Sequence, residues 1–155
     1  MTDPARPPAY VQSRIVFAIL AVQFIIPAIS YIAAPEVTIA QLSRINAILG
    51  GGPYTVPESG HVWHMLAVGN VMTLGVMCAM LSYDLRRFYP ALPALAFLKG
   101  FSSLYSLAIG ASHGLPMFYA IFALDGVTTL IMIFFGRRAH RAISAPVASG
   151  ASETA

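Results

Sequence analysis

The run IVFAILAVQFIIPAISYIAA, from Ile15 to Ala34, decides the fold class. It carries no charged side chain over about 20 residues, a length that crosses a hydrocarbon core of roughly 30 Å as a helix. The run is continuously apolar rather than alternating, and in lipid only a helix or a closed barrel satisfies its own backbone. It therefore reads as a transmembrane helix. Three further runs share its character, Trp63 to Tyr83, Ala91 to Ser112 and Pro116 to Gly136. The predicted fold is an all-α integral membrane protein, a four-transmembrane-helix bundle with spans at about 15–34, 63–83, 91–112 and 116–136.

The composition of the 155 residues agrees: 57% are hydrophobic and 10% charged, against roughly 25% charged in an ordinary soluble domain. Mean hydropathy is +0.72. A soluble globular enzyme, a disordered chain and a secreted disulfide scaffold are excluded, the last because Cys78 is the one cysteine. The isoelectric point of 9.3 comes from nine basic residues that are not gathered into one patch, which argues against nucleic acid as a partner.

Prolines mark the span boundaries. Pro90 and Pro93 open the third run and Pro116 the fourth, where the missing N–H is harmless. Pro35 closes the first run, and Pro27 within it is expected to kink the helix. Ala33-Ala34-Pro35 is a poor cleavage site, so the first span is expected to be an uncleaved anchor.

Orientation follows from Lys and Arg near the span ends. Arg6, Arg14, Arg86, Arg87, Arg137, Arg138 and Arg141 fall on one side, Arg44 alone on the other, and Lys99 within a span. This predicts a multi-pass membrane protein with both termini cytoplasmic. Residues 1–13 are expected to form a cytoplasmic tail, 14–138 the membrane domain and 139–155 a disordered cytoplasmic tail. On the outer side Ile39, Leu42, Ile45 and Leu49 recur at helical spacing, predicting a short amphipathic helix over 36–50 that lies on the membrane and ends at Gly50-Gly51-Gly52.

Polar side chains within spans are the candidates for function. Lys99 and Asp125 fall at nearly the same depth on consecutive antiparallel helices, so an ion pair between them lowers the cost of both. Side chains lean toward their helix N-terminus, which splays these two apart and leaves snorkelling of Lys99 as the alternative. Ser102, Ser103 and Ser106 continue the Lys99 face, and Asn70 and Thr73 share a face of the second span. Together they predict a polar seam between the second, third and fourth spans. The seam serves either as helix-to-helix glue or as a pocket for an amphipathic ligand such as a quinone.

Glu58, His61, Trp63 and His64 stand where the second span meets the outer face, and His113 ends the third. Imidazole and carboxylate ligate Zn, Cu or Fe, and His64 with His113 could instead hold haem b. Without convergence these are interfacial histidines. His140 belongs to the basic cluster after the fourth span, suited to anionic lipid heads. Cys78 sits mid-span as an inert thiol, and the methionines read as packing residues. No nucleophile–base arrangement, phosphate loop or C-x-x-C is present, so the sequence offers no support for an enzyme.

Ala33-Ala34-Pro35-Glu36 after the first span, the basic turn Asp84-Leu85-Arg86-Arg87 and the short turn Ser112-His113-Gly114-Leu115-Pro116 give a layout over residues 14–138. That layout resembles the DoxX-like group of small bacterial four-helix membrane proteins. The resemblance implies a redox-associated accessory role and carries no functional residues across. Two functions are therefore expected: a non-catalytic accessory or assembly subunit of a larger membrane complex, with other subunits or further copies of itself as partners, or a small membrane protein holding haem b, a metal or a quinone. A transporter component is the third.

Overall fold

The computed structural model describes residues 7–52 and 60–144, and the side chains of residues 61–64 lie outside the description. The chain forms α1 (Pro8–Ala33), α2 (Pro35–Ile48), α3 (Gly60–Tyr83), the one-turn α4 (Leu85–Phe88), a 3-10 turn (Tyr89–Ala91), α5 (Leu92–His113) and α6 (Pro116–Ser144). There is no strand among the described residues. Among the described residues, four helical segments are long and apolar enough to cross a membrane: Pro8–Ala33, Met65–Tyr83, Leu85–His113 and Pro116–Ser144. The molecule is an all-α, four-helix bundle with the build of a multi-pass membrane protein.

Spatial neighbours do not follow chain order. α3 packs along α1, α1 along α6, and α6 along α5. Phe17, Leu20 and Phe24 of α1 meet Leu74, Cys78 and Leu81 of α3 in the core, and Leu95 and Met132 extend it between α5 and α6. Outside stand Ile19, Ile26, Phe97, Leu104, Leu130 and Phe134, all exposed. Lipid is as apolar as these side chains, so association within a membrane rests on close packing and polar contacts rather than on water exclusion. Gly75 shows the first of these: a Cβ there would stand 2.6 Å from Ile25 Cγ1 and 3.2 Å from its backbone nitrogen. Only glycine lets α3 approach α1 so closely.

The helix ends run past the predicted spans. α1 begins at Pro8, so residues 8–13 are helix and not tail; Tyr10 and Ser13 are buried, and Ser13 Oγ donates to Phe135 O of α6 at 2.8 Å. α6 continues to Ser144 and replaces the first part of the expected disordered tail. Ala139 is buried, the His140 ring stacks on Tyr89 with centroids 4.0 Å apart, and Ile143 packs on the core. Arg141 in the last turn suits the negative end of the helix dipole. α1 remains helical through Pro27, whose ring is exposed.

Asp84 caps α4 by accepting the Arg87 N–H at 3.1 Å, and this turn redirects the chain from α3 into α5. α2 covers most of the segment expected to be helical. Ile39 and Leu42 are half-buried, but Ile45 and Leu49 face outward, and the fully buried residue is Asn46. Asn46 Oδ1 accepts the Met117 N–H at 3.2 Å, and its Nδ2 donates to Gly52 O at 2.7 Å. α6 opens with Leu115-Pro116, which supply no capping oxygen, so a side chain 71 residues away satisfies one of its orphan donors. This contact pins α2 to the bundle.

Candidate functional site

The polar centre lies between α5 and α6. Lys99 Nζ stands 2.5 Å from Asp125 Oδ1, with the two side chains only 11% and 6% exposed. Ser102 Oγ donates to the other carboxylate oxygen, Oδ2, at 2.9 Å. The ammonium also lies 4.9 Å from the Phe24 ring centroid, a cation–π contact reaching to α1. Both charges therefore find partners inside the protein, as buried charges require.

The local sequence explains how two side chains of opposite lean meet. Gly100 and Gly126 flank the pair. A Cβ at Gly126 would come to 3.3 Å from Ser103 Oγ, and one at Gly100 to 3.6 Å from Thr129 Cγ2. The helices thus approach closely enough for the four-carbon Lys99 stem to bridge the remaining offset. Ser103 Oγ donates to Phe122 O at 2.8 Å, a second tie between α5 and α6. Thr128 and Thr129 donate to Leu124 O at 2.7 Å and to Asp125 O at 2.8 Å, so their hydroxyls need no partner on another helix. Ser106 is buried one turn beyond Ser103 on the same face.

The seam does not extend to α3 as the sequence suggested. Asn70 and Thr73 are exposed, because α3 lies against α1 and not against α5. Thr73 Oγ1 donates to Gly69 O at 2.7 Å, whereas the Asn70 amide makes no hydrogen bond to any described residue. Gln23, mid-way along α1, is another exposed carboxamide within a span, set among apolar neighbours.

Of the outer-face group, Glu58 lies outside the described residues, as do the side chains of His61, Trp63 and His64. His113 is exposed at the end of α5, where Gly114 at φ 64° closes the helix. Ser112 Oγ donates to Ala108 O at 2.9 Å and lies 2.8 Å from His113 Nδ1, which ties the ring to its own helix end. Among the described residues no three His, Cys, Asp or Glu side chains gather as a metal site. Chemically, the Lys99–Asp125–Ser102 centre is a clamp: its polar atoms are matched to one another, and it joins three helices.

No family model matches the chain, and neither does a curated protein or a solved structure.

Proposed function

We propose that the chain is a non-catalytic accessory or assembly subunit of a larger membrane complex, sited in the bacterial inner membrane with both termini cytoplasmic. The observation that carries this reading is Asn70. Its amide faces outward about ten residues, or roughly 15 Å, inside the outer end of α3. A carboxamide without a hydrogen bond in an apolar medium costs about 2–7 kcal/mol, and a partner helix removes that cost.

The surroundings support a helix as the partner. Gly69 and Thr73 flank Asn70 on the exposed face, and a Cβ at Gly69 would meet nothing within 4 Å. This chain's own packing does not require a glycine there, although a helical glycine is less stable than alanine by about 0.5–1 kcal/mol. Small residues beside a polar one form a surface on which another transmembrane helix can approach closely. The seven basic residues at one end of the spans support the orientation. The resemblance to the DoxX-like group supports a redox-associated setting.

The test is gentle solubilisation of native membranes followed by affinity purification and mass determination. A reproducible complex with other membrane subunits is expected, lost in Asn70→Leu while the variant keeps its helical content. A lone monomer from wild-type membranes sinks the proposal, and so does a homo-oligomer without other subunits.

A further inference from the structure

Where the basic ends of α1, α3, α4 and α6 meet, they leave an open cleft of about 480 Å³ lined by Tyr10, Arg14, Tyr83, Asp84, Arg86 and Ile143. Its size falls in the range of about 300–1,000 Å³ typical of small-ligand sites. Arg14 immediately precedes the apolar run of α1, Tyr83 ends α3, and Ile143 lies beyond the last apolar stretch of α6. The cleft therefore sits where the apolar bundle gives way to the headgroup layer, a level at which tyrosine is enriched.

Its walls are tied together. Arg14 Nε donates to Ser82 O at the end of α3, and Ser13 Oγ donates to Phe135 O of α6. The first bond fixes the Arg14 guanidinium and leaves its terminal nitrogens for another acceptor. Arg86 is exposed on α4. Asp84 opposes these two cations, but one of its oxygens is engaged by the Arg87 N–H. Two guanidinium forks against one carboxylate favour an anion, and the fork geometry matches phosphate oxygens.

We propose that this cleft binds the phosphodiester headgroup of an anionic phospholipid, with Arg14 and Arg86 holding the phosphate and Tyr83 at the membrane interface. The site rests on the chain spanning a membrane and is independent of any partner on α3.

The test is native mass spectrometry of the full chain in mild detergent. It is offered phosphatidylglycerol, phosphatidylcholine of the same acyl chains, or inorganic phosphate. Retention of phosphatidylglycerol over phosphatidylcholine is expected, with no displacement by inorganic phosphate at equal concentration. Arg86→Gln should lower retention roughly ten-fold, the loss expected of one charge-assisted hydrogen-bonded pair. Asp84→Asn keeps a capping oxygen, removes the opposing charge and should raise retention. Arg137→Gln, an exposed cation outside the cleft, should change nothing. Equal losses in Arg86→Gln and Arg137→Gln would show diffuse surface attraction and overturn the site. Displacement by inorganic phosphate would overturn the lipid assignment. Arg14→Gln is the less useful variant because it also removes the tie to Ser82.

Discussion

Lys99 Nζ and Asp125 Oδ1 meet at 2.5 Å between two helices that pack most tightly at Gly126, where a Cβ would stand 3.3 Å from Ser103 Oγ. Two buried charges become tolerable only as a pair, so the interaction is asymmetric under mutation. Asp125→Ala leaves a buried ammonium with only the Phe24 ring, and Lys99→Ala leaves a buried carboxylate with only Ser102. Each single change should destabilise the detergent-solubilised protein by about 3–5 kcal/mol, and the double variant by less than either. Chemical unfolding followed by circular dichroism measures this. Additive losses would mean the two charges act independently.

Asn46 gives a second expectation. Asn46→Ala removes the acceptor of Met117 N–H and the donor to Gly52 O together. Leaving the buried Met117 N–H unmatched costs about 1–3 kcal/mol, whereas Gly52 is exposed and its carbonyl can turn to solvent. Because this contact anchors α2, limited proteolysis should cut first between Pro35 and Gly52, with α5 and α6 still protected. Cleavage no faster than in the wild type would show that α2 is held by other contacts.

Two glycines on one helix should respond in opposite ways. Gly75→Ala drives a methyl into Ile25 and should destabilise the chain by about 1–3 kcal/mol, as overpacking does. Gly69→Ala meets nothing and should stabilise the isolated chain by about 0.5–1 kcal/mol. If Gly69 lies under a partner helix, the same substitution should weaken recovery of the complex. Thermal unfolding of the purified chain and co-purification from membranes give the two readouts. Gly69→Ala that leaves assembly intact would remove Gly69 from the interface.

What the sequence made legible is what depends on near neighbours in the chain. Continuous apolar runs show four spans because hydropathy is local. Counting residues from the span ends puts Lys99 and Asp125 at one depth. Helix order was not legible: faces toward lipid and faces toward another helix are both apolar, so nothing in α3 announces that it lies on α1 rather than α5. For that reason Asn70 and Thr73 look like seam residues in the sequence, although the structure exposes them. Asn46 was hidden by its 71-residue separation from Met117, although the uncapped start of α6 at Leu115-Pro116 was a signal that a distant acceptor was needed. The helix ends at Pro8 and Ser144 exceed the apolar spans because Ser13, Ala139 and Ile143 have packing partners that hydropathy does not register.

Orientation yields the last prediction. Seven of the nine basic residues lie at one end of the spans and Arg44 at the other, so the end bearing Ser144 should be cytoplasmic and α2 should be outside. Cys78 is fully buried in the core and gives a quiet background for labelling. Glu36 and Ser144 are both exposed, and a cysteine at either position should react freely in detergent. In intact cells a membrane-impermeant maleimide should label Glu36→Cys and leave Ser144→Cys untouched until the membrane is opened. The reverse pattern would invert the topology. It would move the cleft between Arg14 and Arg86 to the outer leaflet while leaving its geometry, and the Lys99–Asp125 clamp, unchanged.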